Sequence, residues 1–310
     1  MASLEAILDR YRRRVVASTT GLFAHAPYPL ANTLEHRGDP GLCGPDSVSW
    51  PVIGDVAAFF GGMRALLVQA AHPEVAAGVQ EHSRYREDPL GRLSRTSAYV
   101  TATAFGATAE AERAAQMVRS VHGKVRGVSH RGRSYTADTP QFAAWVHNSL
   151  TDGFLQAYRH FGPRPLTQGE ADRFVSEQAV VGRLLDADPL PVTEEDLGAW
   201  LMGHPHIGGS PGCDEAIAFL RSPPLPAAVR IGYTLMFHAA AATIPPSMRR
   251  LLGVRRYPGA IVVGKAMSRF LRWALGSSPS WHVALVRTGV PVPEGVFRQP
   301  LPVDTPDSAP

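Results

Sequence analysis

The residues best suited to metal or proton chemistry in this chain are its 12 histidines, because a neutral imidazole binds transition metals and exchanges a proton near neutral pH. One of them stands in the run QFAAWVHNSLTDGFLQAY, residues 141–158. At helical spacing Ala143, His147, Leu150, Phe154 and Tyr158 share one stripe beside Phe142, Val146 and Leu155, so His147 points inward. A buried imidazole keeps one N–H and one lone pair, and both need partners. A backbone carbonyl would serve, and so would a metal. His72, His82, His122 and His238 also face apolar surface by burial pattern, and periodicity does not choose among them. His204 and His206 form an H-x-H in the loop GHPHIGGSPG. With no acid or thiol close by in sequence they read as exposed loop residues as readily as metal ligands.

The elements that position these groups are helices. Amphipathic periodicity predicts helices over 3–18, from near Pro51 to Pro73, over 74–84, over 92–105, and through FGATAEAERAAQMVRSVHGKVRG up to the loop at Gly127, with Thr108 as N-cap and acids in the first turn. The helix carrying His147 opens at Asp138 or Thr139, with Pro140 in its first turn. A capping-box spacing from Thr167 to Glu170 starts the next helix, TEED at 193–196 starts another, and three more are expected near 213–221, 226–242 and 259–275. Residues 127–134 read as a polar, basic loop, and the ending from Pro291 as extended or disordered. The expectation is an all-α single globular domain of about ten helices, a globin-like or irregular helical bundle. Residues 1–41 form a helical and turn-rich lead-in, 42–275 the main domain, and 276–310 a Pro-rich tail.

Composition narrows the function. At 310 residues, 45% apolar and 19% charged, the chain is long enough for a sizeable core. The net charge is only +4, and acids interleave with the arginines, which argues against a nucleic-acid surface. Cys43 and Cys213 stand alone and far apart, which argues against a disulfide framework or structural zinc site and suits a reducing compartment. The N-terminus shows no secretory pattern and no segment reads as a transmembrane span, so a cytoplasmic protein is expected. Nucleotide loops of the GxGxxG and GxxxxGK[ST] types, HExxH, CxxCH and a Glu-x-x-His pair are all missing. Inward histidines on a helical frame remain, which is the setting for a haem held by one imidazole.

The order of the segments GPDSVSW, GGMRALLVQAAHPEVAAGVQEHSRYREDPLGRLSRTSAYVTATAFG, VRSVHGKVRG, YTADTPQFAAWVHNSLTDGFLQAY and FVSEQAVVGRLL resembles the MpaB-type and rubber-oxygenase family over roughly residues 42–275. The resemblance implies a mostly helical fold, a b-type haem, dioxygen as co-substrate and oxidation of an apolar molecule. It carries the proximal iron ligand to His147. It also places the family's distal Arg-x-x-Lys-Thr pattern on RLSRT, with Arg92 and Thr96 as donors to dioxygen or to a haem propionate, and Arg95 where lysine is usual. A guanidinium is a poor iron ligand, so a water-bound or open sixth position is expected. Otherwise Arg92 and Arg95 would simply pair with Glu87 or Asp88. His82 and His122 are further candidates for the cofactor pocket. His72 reads as a structural residue at the negative end of a helix, and Glu74 and Glu81 read as solvent-exposed acids or general bases. The implied function is a haem b-dependent oxygenase or oxidase using dioxygen or peroxide. The alternatives are a haem carrier or gas sensor without turnover, a cofactor-free partner-binding protein, and non-haem metal catalysis. Substrate and oligomeric state are open.

Overall fold

The computed structural model describes residues 4–303. Among them the helices run α1 (Leu4–Thr20), α2 (Ser49–Gly54), α3 (Ala57–Gln69), α4 (Pro73–His82), α5 (Pro89–Phe105), α6 (Thr108–His122), α7 (Pro140–Phe161), α8 (Gln168–Arg183), α9 (Glu194–Gly203), α10 (Pro211–Arg221), α11 (Ala227–Ala242), α12 (Pro246–Leu251), α13 (Ala260–Leu275) and α14 (Pro279–Thr288). Two three-residue strands, β1 (Arg126–Val128) and β2 (Ser134–Thr136), pair antiparallel between α6 and α7. The fold is a predominantly all-α single domain. It carries fourteen α-helices among the described residues rather than about ten, the additions being the six-residue α2 and α12, too brief for periodicity to mark, and α14 in the Pro-rich ending.

The core is organised around the crossing of α3 and α7. Gly61 and Gly153 face each other there. A Cβ on Gly61 would sit 2.7 Å from Phe154 Cδ1, and one on Gly153 would sit 2.6 Å from the Gly61 carbonyl oxygen. Only glycine lets the two backbones approach so closely. The crossing is then tied by buried and partly buried polar groups. Arg64 forms an ion pair with Asp152, both buried. The Trp145 indole donates to the Gln69 carbonyl at 3.1 Å, and the Gln69 amide donates to the Val146 carbonyl at 3.1 Å. Phe60, Leu67, Leu155 and Phe161 fill the space around them.

Several helix starts follow their sequence signals. Thr167 and Glu170 exchange bonds across the first turn of α8, and Thr193 accepts from the Asp196 N–H at the start of α9. At α6 the signal misleads. The N-cap is Ala107, whose N–H is taken by the Glu110 carboxylate at 2.8 Å, while Thr108 gives its N–H and hydroxyl to Asp39 at 2.9 Å each. Helix α5 starts at Pro89, earlier than periodicity indicated, because Asp88 caps it by accepting from the Gly91 N–H at 2.9 Å. The expected loop at 127–134 is mostly the β1–β2 hairpin, whose strands are too short to show alternation. The segment from 276 opens with α14, whose Val283, Ala284 and Leu285 enter the core and whose buried Arg287 donates to Thr33 Oγ1 and the Phe105 carbonyl at 2.6 Å each. The expected disordered ending is partly held, through a bridge from Gly276 to Phe297 and a bond from Gln299 to the Leu275 carbonyl. Residues 304–310 of that ending lie outside the described residues. No described helix is long and apolar enough to cross a membrane.

Candidate functional site

His147 sits mid-way along α7 and is 5% exposed. Its Nε2 lies 2.8 Å from the Gln178 carbonyl oxygen on α8, with the Thr151 hydroxyl 3.4 Å away. Gly182 makes room for this contact, since a Cβ there would come 2.8 Å from Cδ2 and 3.0 Å from Nε2 of the ring. Burial is the main cause that pushes the His147 pKa down to about 4, with the bond to Gln178 acting in the opposite direction. The ring is therefore neutral at pH 7. Its Nε2–H is committed to a helix carbonyl, and α8 backbone occupies the ground in front of it. His147 as arranged does not fit an iron–porphyrin.

Helices α5 and α6 form an antiparallel hairpin turned at Gly106 and Ala107. Arg92 stands near the start of α5 and His122 at the end of α6, so both lie at the end of the hairpin away from its turn. Of the two arginines expected to pair locally, only Arg95 does so, with Asp88 at 3.1 Å on the surface. Arg92 has no acidic partner among the described residues. Its guanidinium carbon lies 5.7 Å from the centre of the Tyr85 ring, and burial lowers its pKa. Two turns along the same stripe, the Tyr99 hydroxyl is buried without a hydrogen-bond partner, and burial pushes its pKa above the ordinary tyrosine value. Thr96, between them on that stripe, is exposed. The His122 ring makes no hydrogen bond among the described residues and is partly buried. Burial lowers its pKa, and Asp138 raises it in part. His82 is at the surface, with Nε2 3.0 Å from the Arg126 carbonyl. Its neighbour Glu81 accepts from the Tyr135 hydroxyl at 2.5 Å.

A third arrangement gathers residues that lie far apart in sequence. His72 follows the C-terminal end of α3, with its N–H on the Gln69 carbonyl at 3.2 Å. It is the N-cap of α4, in extended backbone just before Pro73, and the α9–α10 loop brings His204 and His206 over it. One ring nitrogen from each of the three lies within 4.8 Å of the others. The ring centres are 5.3 Å apart for His72 and His204, 5.7 Å for His72 and His206, and 5.4 Å for His204 and His206. Trp145 packs on His72 and His204 at 5.5 and 4.9 Å, and Trp200 on His204 at 5.0 Å. Burial is the largest influence that brings the pKa of His72 down to about 4, ahead of Glu74, which raises it, and of His204, His206 and Arg131. His204 is likewise lowered to about 4, by burial and then by His206. Glu74 is not a solvent-exposed acid. Burial would raise its pKa, but Arg131 and Ser129 hold it below the usual carboxylate range.

Residues 50–273 match the model of the family described as ER-bound oxygenase mpaB/B'/Rubber oxygenase, catalytic domain. The chain belongs to this family. No curated protein and no solved structure matched it. The matched span of this mpaB/rubber-oxygenase domain runs from the start of α2 to the end of α13. It contains the α3–α7 crossing, the α5–α6 hairpin and all three triad histidines. Oxygenase chemistry, with dioxygen and an organic substrate, is the coarse function that membership supports, and a metal or haem cofactor is its natural companion. The triad was out of reach of sequence reasoning, because helical spacing relates residues three and four apart and says nothing of a loop folding back onto a distant N-cap. The H-x-H itself was the one available signal.

Proposed function

We propose that this mpaB/rubber-oxygenase domain is a haem b-dependent oxygenase that oxidises an apolar organic molecule with dioxygen. What supports the reading is an imidazole without a hydrogen-bond partner, His122, at the same end of one helix hairpin as a guanidinium without a counter-charge, Arg92. An unpaired, partly buried arginine is costly unless an anion meets it, and haem propionates are such anions. Haem, when bound, supplies the iron at which dioxygen is activated. His122 is the histidine we assign to hold it through a neutral ring nitrogen, in place of His147. Arg92 binds carboxylate in this reading, and Thr96 and Tyr99, on the same stripe of α5, offer hydroxyl donors to the oxidant or to an oxygen of the substrate. Apolar side chains of α5 and α6 that the fold leaves at the surface, Leu93, Met117 and Val121, suit an apolar ligand. His147 is then a core histidine that fastens α7 to α8.

The test is the visible spectrum of protein reconstituted with hemin, compared among wild type, His122→Ala and His147→Gln. A Soret band in the wild type and His147→Gln that is lost in His122→Ala supports the assignment. Loss in His147→Gln alone, with the variant still folded by circular dichroism, moves the iron to His147. A wild type that takes up no hemin overturns the haem reading. If haem binds and reversibly takes up gaseous ligands but no olefin is converted, the protein is a carrier or sensor.

A further inference from the structure

We propose that His72, His204 and His206 form a binding site for one divalent transition-metal ion of the zinc type, separate from the haem reading above. The geometry is the first reason. Zinc–imidazole bonds of about 2.0–2.1 Å put each ring centre about 3.2 Å from the ion, so three rings at angles of about 109–120° have centres about 5.2–5.5 Å apart. Two of the observed separations, 5.3 and 5.4 Å, fall in that range, and the third, 5.7 Å, is slightly longer. Aromatic packing alone does not require three rings to be equidistant.

The second reason is the state of the ring nitrogens. His72 is 6% exposed; its Nδ1 faces only the Glu74 carboxylate, beyond hydrogen-bond reach, and its Nε2 makes no hydrogen bond among the described residues and is the nitrogen left for the ion. His204 Nδ1 receives only a 3.3 Å bond from the His206 backbone N–H, and His206 Nε2 only a 3.2 Å contact from the Arg133 guanidinium. Each ring thus keeps a nitrogen that is unused or weakly used. Glu74 adds a carboxylate oxygen 3.4 Å from His72 Nδ1, placed to orient that ring as carboxylates orient metal-bound histidines. Glu74 is held by Arg131, through Nη2 to Oε2 at 2.7 Å and Nε to Oε1 at 3.2 Å, and by the Ser129 hydroxyl at 2.9 Å. Arg131 also donates to the His206 carbonyl at 3.2 Å, so the same carboxylate network steadies the loop.

The third reason is access. His204 and His206 are only partly buried, so an ion enters from solvent and keeps one coordination position open. Three histidines plus an open position is the donor set of zinc sites that hold a water. Binding would also pin the α9–α10 loop onto the N-terminus of α4.

The experiment uses full-length protein without a histidine tag, stripped with chelator and dialysed separately against zinc and cobalt(II) chloride. We expect one metal ion per chain by elemental analysis, a cobalt spectrum of low-symmetry four- or five-coordinate type, and affinity at least about 100-fold weaker in the His204→Ala/His206→Ala double variant. Both substitutions fall in a partly exposed loop, and circular dichroism checks that the variant folds. His204→Gln, which keeps much of the volume, should show the same loss in milder form. His122→Ala should retain its zinc, which distinguishes this site from the haem reading. A wild type that keeps no stoichiometric metal overturns the proposal, and so does a double variant that binds as tightly as wild type.

Discussion

His147 and His72, the innermost member of the His72–His204–His206 group, are both buried imidazoles, yet the two sites spend their nitrogens differently. His147 is enclosed by two helices, and its Nε2–H is given to a carbonyl through a gap that Gly182 leaves open. The triad rings are held in place by tryptophans and by a loop, and their nitrogens lack good partners. Burial by itself therefore does not mark a ligand. Partner accounting does, since an imidazole with satisfied nitrogens contributes to stability, while an unsatisfied one is destabilising unless something binds it.

The largest expected effect is on the His147 side. His147→Ala removes a buried ring and its bond to α8, and should lower stability by about 2–4 kcal/mol in urea denaturation, with zinc uptake unchanged. Zinc loss in that variant would erase the distinction. Acid should act next most strongly. His147 has an unfolded pKa near 6.5 and a folded value of about 4, so the unfolded chain binds the extra proton. Its share of stability is complete above pH 6.5 and is lost as pH falls toward 4, at most about 3 kcal/mol. His147→Gln should flatten that part of a stability-versus-pH curve, and an unchanged slope would show that the ring is not held neutral. Gly182→Ala should cost about 1–3 kcal/mol by forcing its methyl into the His147 ring, measured by thermal unfolding. The smallest effect belongs to the triad. His204→Ala should change the stability of metal-free protein by no more than about 0.5 kcal/mol while removing the gain in Tm that zinc gives the wild type.

Local signals in the chain were readable where the interaction was local. Thr167 with Glu170, and Thr193 with Asp196, cap helices as their spacing says, and Arg95 meets Asp88 two turns back along the chain. Thr108 has an equally good capping signal and does not cap, because Asp39 reaches its N–H and hydroxyl from elsewhere. Helix α14 hid in a Pro-rich ending because its inward residues gain their value only against the core.

Sequence by itself determined the helical architecture and the membership of the mpaB/rubber-oxygenase family. Both rest on repeated three- and four-residue spacing and on ordered segments along the chain. Only the tertiary structure decided which histidines have free nitrogens. It set His147 against the Gln178 carbonyl, left Arg92 without an acid, and folded His204 and His206 onto His72. The physical reason is that hydrogen-bond satisfaction is a property of neighbours in space, and for these rings the neighbours come from other helices and loops.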